Sequence, residues 1–380
     1  MKKIIVASYL IACSSAYGMS STPTTSMPKD FFVEKINGAS CSADYNRSTF
    51  YNDLNYINEL KFQNDNDIVN SSSLTVKHEE LSKRWAKLLG ITYGIANDQN
   101  QNRAKEVVNV LVDLAQSNTL LDSLTPGETV RAGCWINGDK NSPCLFHTPQ
   151  HTGFTMIAML YSAIVLEEYM SPEQKKVLDI YFKKSYNKFI KPMAKAQLGQ
   201  KGLYEFADYG LGILAYARWT NDTQLAAQEL KNRRNSFIKK IEENGFIDNN
   251  SFRGNRGYWY HTLGAESALG YALVARSFGY NFFKDPKLGP ELKAIAEATL
   301  LGGVDYNRFD SMPDRGRNAS KDLEDARPHM HQLSVSLPLI IEQEYNIRVP
   351  IHSRYNKLVQ LESVGRFIGF NADCYYDSIN

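Results

Sequence analysis

Apolar positions recur with a helical period along most of the chain. From about residue 76 onward, apolar residues stand at i, i+3, i+4 and i+7, the spacing of one face of an α-helix. The segments with this pattern are 76–96, 101–122, 153–170, 173–190, 207–220, 223–243, 262–280, 291–302 and 333–345. Boundary signals agree, since Ser171-Pro172-Glu173 is typical of a helix start and Asn244-Gly245 of a helix end. The pattern predicts an all-α protein with no convincing strand.

The predicted helices alternate in character. Small apolar residues lie nearly all round three of them: 153–166, 207–218 and 263–276. Lys, Arg and Glu occupy one face of two others: 173–190 and 223–243. Fully apolar helices belong inside a fold and amphipathic helices outside. The alternation predicts an α/α toroid, an incomplete double-layer helical barrel, as a single domain over residues 46–380. A stacked solenoid is the alternative, although no repeat of fixed period is visible.

The first 18 residues have the composition of a secretory signal peptide. Lys2 and Lys3 precede an apolar stretch, and Ala16-Tyr17-Gly18 offers a cleavage site between small residues. We therefore expect a periplasmic or secreted protein in which residues 19–45 form a flexible arm. Cys13 lies in a segment that resembles a bacterial lipoprotein box, so a lipid anchor at Cys13 is the alternative. No apolar run is long enough for a transmembrane segment.

Export would leave four cysteines in an oxidising compartment: Cys41, Cys134, Cys144 and Cys374. An even number there is typical of disulfides, and three connectivities are open. Cys134 and Cys144 close a short loop and are the favoured pair. The cysteine and histidine spacings do not resemble a zinc site. His329-Met330-His331 does not place both imidazoles on one helical face, so we expect no metal and no cofactor.

Composition and charge exclude several functional classes. The chain has 380 residues, of which 43% are hydrophobic, as in a globular protein. Its formal net charge of +2 disfavours a nucleic-acid binder. Removal of residues 1–18 would take away Lys2 and Lys3 and no acid, which leaves the mature chain without net charge. We also expect a monomer.

Polar stretches that contain glycine interrupt the predicted helices at 123–152, 244–260 and 303–330. Functional groups concentrate in such connections. The densest cluster is Arg253-Gly254-Asn255-Arg256-Gly257-Tyr258-Trp259-Tyr260-His261. Arginine binds carboxylates through a planar fork, and aromatic rings offer sugars a flat apolar platform. An ordinary loop, whose arginines pair with acids and whose rings cap the core, is the alternative interpretation.

This cluster resembles the Arg-Gly-x-Arg-x-x-x-Tyr-His run of the alginate lyase (poly-mannuronate lyase) family. The resemblance covers roughly residues 100–345 and is strongest around 205–280. It implies an α/α toroid that cleaves an anionic polysaccharide, a β-linked polyuronate such as alginate or glucuronan, by β-elimination without a metal. By motif position, it implies that Arg253 neutralises the C6 carboxylate and that Tyr260 is the catalytic acid and base.

One part of the family pattern is missing. The family carries an Asn-His pair at the head of the preceding inner helix, where this chain reads Tyr204-Glu205-Phe206-Ala207-Asp208-Tyr209. We expect Gln150 and His151 to supply the missing donors, with His151 as a catalytic group because imidazole can be protonated at ordinary pH. The other expected substrate-binding residues are Trp135, His147, Glu205, Arg256, Tyr258, Trp259 and His261.

Other functions stay open at this point. A toroid glycoside hydrolase would use Glu205 or Asp208 with a second carboxyl group about 6.5–9.5 Å away. A non-catalytic envelope glycan-binding protein would keep the cleft without the chemistry, and a purely structural envelope lipoprotein would need neither. The basic residues of segment 223–243 are expected on a solvated outer face: Lys231, Arg233, Arg234, Lys239 and Lys240.

Overall fold

The computed structural model describes residues 47–59, 71–122, 124–126, 134–136, 143–144, 147–199, 201–203, 207–254, 256–305, 307–313 and 336–349. Helices account for most of this part of the chain, so the predicted all-α class is confirmed. Several predictions fall outside the described residues: the signal peptide at 1–18, the arm at 19–45, and the roles of Cys13, Cys41, Glu205, His329, His331 and Cys374.

Helices and one small sheet make up the described structure. The helices are α1 (Arg47–Glu59), α2 (Ser71–Asn97), α3 (Gln101–Ser117), α4 (Thr119–Asp122), α5 (His147–Val165), α6 (Pro172–Ser185), α7 (Lys191–Leu198), α8 (Ala207–Thr220), α9 (Thr223–Lys240), α10 (Gly257–Ser277), α11 (Leu288–Val304), α12 (Asn307–Asp310) and α13 (Ser336–Tyr345). The strands β1 (Leu124–Pro126), β2 (Cys134–Ile136) and β3 (Pro143–Cys144) pair antiparallel in that order. Within the described ranges, no helix combines the length and apolar character needed to cross a membrane.

The long helices pack in two rows. In the inner row, α2 contacts α5, α5 contacts α8, and α8 contacts α10. In the outer row, α3 contacts α6, and α9 contacts both α7 and α11. Each inner helix also packs against the outer helix that follows it in the chain. The apolar helices α5, α8 and α10 lie in the inner row and the amphipathic helices α6 and α9 in the outer row, which is the toroid-like arrangement that the alternation predicted.

The lengths of the connections between inner and outer helices indicate the direction in which the inner helices run. Only residues 98–100 separate α2 from α3, and only 221–222 separate α8 from α9. Short connections between packed helices make each pair antiparallel. The chain returns from the outer to the inner row through the longer connections 199–206 and 241–256. The inner helices therefore run in the same direction, and we call the end at which α2, α5, α8 and α10 begin the open end.

Three inner helices begin earlier than predicted. The prediction placed their starts near residues 76, 153 and 262, whereas α2 begins at Ser71, α5 at His147 and α10 at Gly257. The extra turns carry polar and aromatic residues that do not follow an amphipathic period. Sequence-predicted site residues on these turns are therefore helical, with their orientation set by the helix. Helix α1 and the small sheet were not predicted.

The basic residues of α9 do not form the solvated face that the sequence predicted. Arg233 is fully buried, and its Nε donates to Oε1 of Glu229 at 2.9 Å. Lys240 is also buried, and burial lowers the pKa of its ammonium group to about 7. Arg234 donates to both carboxylate oxygens of Asp285, at 2.6 and 2.8 Å. The two exposed members are Lys231 and Lys239.

The register of the small sheet places Cys134 directly opposite Cys144. Residues opposed in an antiparallel pair have Cα atoms about 4.5–5.5 Å apart, which lies within the usual range for a disulfide. This pairing was favoured from the sequence because the two cysteines close a short loop. The backbone register adds an independent reason for it.

We predict that Cys134 and Cys144 are bonded in the exported protein. Alkylation of free thiols followed by non-reducing peptide mapping should recover one cross-linked peptide that separates after reduction. The double variant Cys134→Ser/Cys144→Ser should lose roughly 2–4 kcal/mol of unfolding free energy. Recovery of both alkylated thiols from the unreduced protein would contradict the prediction.

Candidate functional site

The polar run found in the sequence folds into a tight loop that leads into α10 at the open end. Ile241 and Ile247 form an antiparallel bridge, and the N–H of Asp248 donates to the carbonyl of Lys240 at 3.0 Å. The N–H of Ser251 then donates to the carbonyl of Ile247 at 2.9 Å. These bonds close the loop on itself one turn before the helix begins.

His261 ties this loop to α10 and α11. Its Nδ1 lies 3.0 Å from Oγ of Ser251, and its Nε2 lies 3.1 Å from Oγ1 of Thr299. The Thr299 hydroxyl donates to the carbonyl of Ile295, so it accepts from a protonated Nε2. Because burial keeps the imidazole neutral, Nδ1 carries no proton and accepts from the Ser251 hydroxyl, whose oxygen also accepts from the N–H of Ile247. These roles assign the neutral, Nε2-protonated tautomer of His261.

Tyr258 and His261 therefore belong to the core in this structure. His261 is fully buried, and burial lowers the pKa of its imidazole to about 3. Tyr258 is 1% exposed, and its hydroxyl donates to the carbonyl of Thr299 at 3.0 Å. Burial raises the pKa of Tyr258 well above its ordinary value. The sequence interpretation expected both to contact substrate; because neither reaches solvent, we leave both out of the proposed site.

Arg253 and Tyr260 lie against each other at the head of α10. The guanidinium carbon of Arg253 is 3.8 Å from the centroid of the Tyr260 ring, which is cation–π geometry. Nε of Arg253 donates to the carbonyl of Asn249 at 2.7 Å, and the side chain is buried to all but 6%. Tyr260 is half-buried. The loop thus holds a cation against a phenol ring that solvent can still reach.

Arg256 and Trp259 flank this pair. The carbonyl of Arg256 accepts from the N–H of Tyr260 at 3.1 Å, so the two residues stand one helical turn apart on the same face. Arg256 is half-buried, and its Nε has no hydrogen-bond partner among the described residues. The rings of Trp259 and Tyr260 meet edge to face, with centroids 4.5 Å apart. Positive charge and aromatic surface therefore surround the Tyr260 ring.

The residues expected to replace the missing Asn-His pair stand on the first turn of α5. The structure describes the backbone alone at His147 and Gln150. The ring of half-buried His151 lies with Nδ1 3.4 Å from Oγ of Ser82 on α2. His151 and Tyr260 lie near the starts of two different inner helices, α5 and α10, and α8 packs against both of these helices.

The remaining predicted site residues receive less structural information. Trp135 lies on β2, where its backbone pairs with Thr125 and Pro143, and Glu205 lies outside the described residues. Among the residues that the structure does describe, no group of three or more His, Cys, Asp or Glu side chains could hold a metal ion.

Sequence reasoning missed the polar residues that build the loop. Asn249 and Asn250 are 5% and 0% exposed, and Asn249 adopts a positive φ of 71°. Ser251 and Thr299 are fully buried as the partners of His261. The run Asp248-Asn249-Asn250-Ser251 has the composition of an exposed turn, so its sequence gives no sign that these residues are buried.

The site formed by Arg253, Arg256 and Tyr260 can hold an anionic group beside a tyrosine hydroxyl.

Comparisons with known proteins add a structural likeness. A scan against models of protein families found no match, and a search of curated proteins found none either. Among solved structures, the chain is similar to an alginate lyase from Bacteroides ovatus, with a TM-score of 0.48 and 14% sequence identity. The match covers 76% of this chain and 74% of that one.

We predict a pH-dependent stability that depends on His261. The unfolded chain binds a proton at this residue below about pH 6.5, whereas the folded chain binds it only near pH 3. Between these values the unfolded state holds more protons, so stability falls as the pH falls. The wild-type free energy of unfolding, measured with urea, should be about 2 kcal/mol lower at pH 5 than at pH 7. The variant His261→Gln should not show this decrease.

A matched control is Ser185→Ala. This variant removes a buried hydroxyl at the last residue of α6, where it donates to the carbonyl of Tyr181. This variant should keep the pH slope of the wild type. Equal slopes for wild type and His261→Gln would show that His261 does not stay neutral in the folded protein.

Proposed function

We propose that the protein is a polysaccharide lyase that cleaves a β-linked polyuronate, such as alginate or glucuronan, by β-elimination. The observation that carries the proposal is the Arg253–Tyr260 pair, with 3.8 Å between guanidinium carbon and ring centroid. The two residues stand at the motif positions that the resemblance assigns to carboxylate neutralisation and to acid–base catalysis. The loop around them supplies a rigid mounting, because the bonds of Ser251 and His261 fix it to the core.

The chemistry explains why a lyase needs these two groups. A base removes the C5 proton of the uronate, a double bond forms between C4 and C5, and the bond from C4 to the leaving oxygen breaks. The C5 proton is very weakly acidic until the C6 carboxylate is neutralised, a task that suits Arg253. The Tyr260 hydroxyl would transfer protons, giving one to the leaving oxygen and, as phenolate, taking one from C5.

The remaining site residues would bind the polymer on either side of the reacting sugar. Arg256 and Trp259 flank Tyr260, so they suit the carboxylate and the ring face of an adjacent sugar. His151 stands on a different inner helix from Tyr260, and α8 packs against both helices. His151 lies at the same end of the inner row as Tyr260, and we keep it as the proposed catalytic group for charge relief, with Gln150 and His147 as substrate contacts beside it. Trp135 and Glu205 remain proposed substrate contacts.

The products distinguish this proposal from its rivals. Incubation with a panel of polyuronates should yield an unsaturated sugar that absorbs ultraviolet light. A glycoside hydrolase would yield reducing ends without that absorbance, and a glycan-binding protein would retain polymer without turnover. A panel that produces no absorbance at any pH would overturn the lyase proposal.

We predict that Tyr260→Phe loses about 10²–10⁴-fold in turnover, the usual effect of removing a general acid–base group. The ring and its contact with Arg253 remain, so unfolding free energy should change by no more than about 0.5–1.5 kcal/mol. Binding of an uncleaved oligouronate, measured by calorimetry, should survive. Tyr280→Phe, in the turn after α10 and away from the open end, is the matched control and should keep full turnover.

A folded Tyr260→Phe variant that forms the unsaturated product at the wild-type rate would contradict the role assigned to this hydroxyl. Another group at the open end would then have to move the proton.

We predict that Arg253→Lys lowers turnover by about 10²–10³-fold, the range seen when one donor to a developing oxyanion is lost. Lysine keeps the charge but has neither the planar fork nor the Nε that bonds to the carbonyl of Asn249. Initial rates from the ultraviolet assay provide the measurement. The control is Arg218→Lys. Arg218 lies in the last turn of α8 and pairs with Glu167, so this variant should keep the wild-type turnover. Near-full activity of Arg253→Lys would make Arg253 a structural residue.

A further inference from the structure

The side-chain amide of Asn250 joins two parts of the open end. Its Oδ1 accepts from the N–H of Leu203 at 3.0 Å, in the connection that leads to α8. Its Nδ2 donates to the carbonyl of Tyr260 at 2.9 Å, on the first turn of α10. The residue is fully buried, so no water competes for either bond. One amide thus links the backbone that approaches α8 to the backbone that carries the proposed catalytic tyrosine.

Two glycines make room for this amide. A Cβ at residue 202 would lie 3.0 Å from Oδ1 of Asn250, and a Cβ at residue 264 would lie 2.9 Å from its Nδ2. Gly264 stands one turn after Tyr260, where its N–H is the regular helical donor to the same carbonyl. The absence of a side chain there lets Asn250 reach the Tyr260 carbonyl from the side. The amide is therefore enclosed on both sides and has little freedom to shift.

The position of Tyr260 follows from bonds at three points. The Arg253 guanidinium lies on its ring face, Arg256 accepts from its N–H, and Asn250 donates to its carbonyl. The first two bonds come from the same loop and helix. Asn250 also bonds to residue 203, so it sets where the head of α10 stands relative to the connection before α8.

We propose that Asn250 is a positioning residue, which holds the Tyr260 backbone in the place where its hydroxyl meets the scissile bond. This inference rests on the proposed lyase function. Displacement of a catalytic group by about 1 Å can cost on the order of 10²-fold in rate while binding is kept. Asn250→Ala should therefore lower kcat by about 10–10²-fold and leave KM within about twofold of the wild type.

A second variant, at Gly264 on α10, perturbs the side-chain amide of Asn250 without replacing Asn250 itself. Gly264→Ala places a methyl group 2.8 Å from Cδ1 of Ile247, a flexible side-chain end, and 2.9 Å from Nδ2 of Asn250, while the Asn250 side chain stays in the protein. Alanine is the best helix former, so the helix itself is not weakened. Gly264→Ala should reproduce the kcat loss of Asn250→Ala, and it tests the proposal if Asn250→Ala does not fold. The buried-hydroxyl variant Ser185→Ala is the structural control and should keep both kcat and KM.

The NMR resonance of the Tyr260 ring tests the role of Asn250 independently of lyase activity. In protein labelled with ¹³C at the tyrosine ring, the Tyr260 resonance is identified by its loss in Tyr260→Phe. It should shift in Asn250→Ala and Gly264→Ala and stay in place in Ser185→Ala. A wild type without lyase activity would defeat the proposed function, and the shift would still test the positioning. An unmoved resonance, or an active wild type whose folded Asn250→Ala variant keeps its kcat, would overturn the role of Asn250.

Discussion

The open end depends on one neutral imidazole buried between three segments. His261 is bonded through Ser251 to the loop before α10 and through Thr299 to α11, and it is itself part of α10. Burial lowers its pKa to about 3, so the contact carries no charge across the physiological range. Arg253 and Tyr260 both lie within ten positions of this contact, and their mutual placement follows from it.

Helical periodicity was sufficient to predict the two rows of helices, because the period reports which face of a helix is buried. It was not sufficient for helix starts: His147 and Gly257 begin turns whose polar and aromatic residues lack an amphipathic pattern. Strands of two or three residues are too short for alternation to appear, so the sheet was missed. The prediction for Arg233 was wrong because a cation with a carboxylate at i−4 has the same sequence pattern whether the pair is exposed or buried.

The contacts within the candidate site could be predicted from the sequence only in part. The resemblance to the family motif implied that Arg253 and Tyr260 belong to one site, but the contact of guanidinium with ring face needed the three-dimensional structure. When the run is taken as a loop, its aromatic residues look equivalent. On a helix, Tyr258 and His261 share the inward face at i, i+3, whereas Arg256 and Tyr260 share another at i, i+4. Asn250 was overlooked because asparagine beside glycine-rich sequence normally indicates a turn.

The common direction of the inner helices has an electrostatic consequence. Each helix N-terminus carries a partial positive charge of roughly half an elementary charge, from N–H groups without a helical partner. Since α2, α5, α8 and α10 begin at the same end, their positive ends lie together in the inner row, whereas the antiparallel outer helices place their negative ends in the layer outside it. A chain whose formal net charge is only +2 thereby presents a positive potential that is local to the inner row of this end. An anionic polymer would be drawn to that end by the backbone itself, most strongly at low ionic strength.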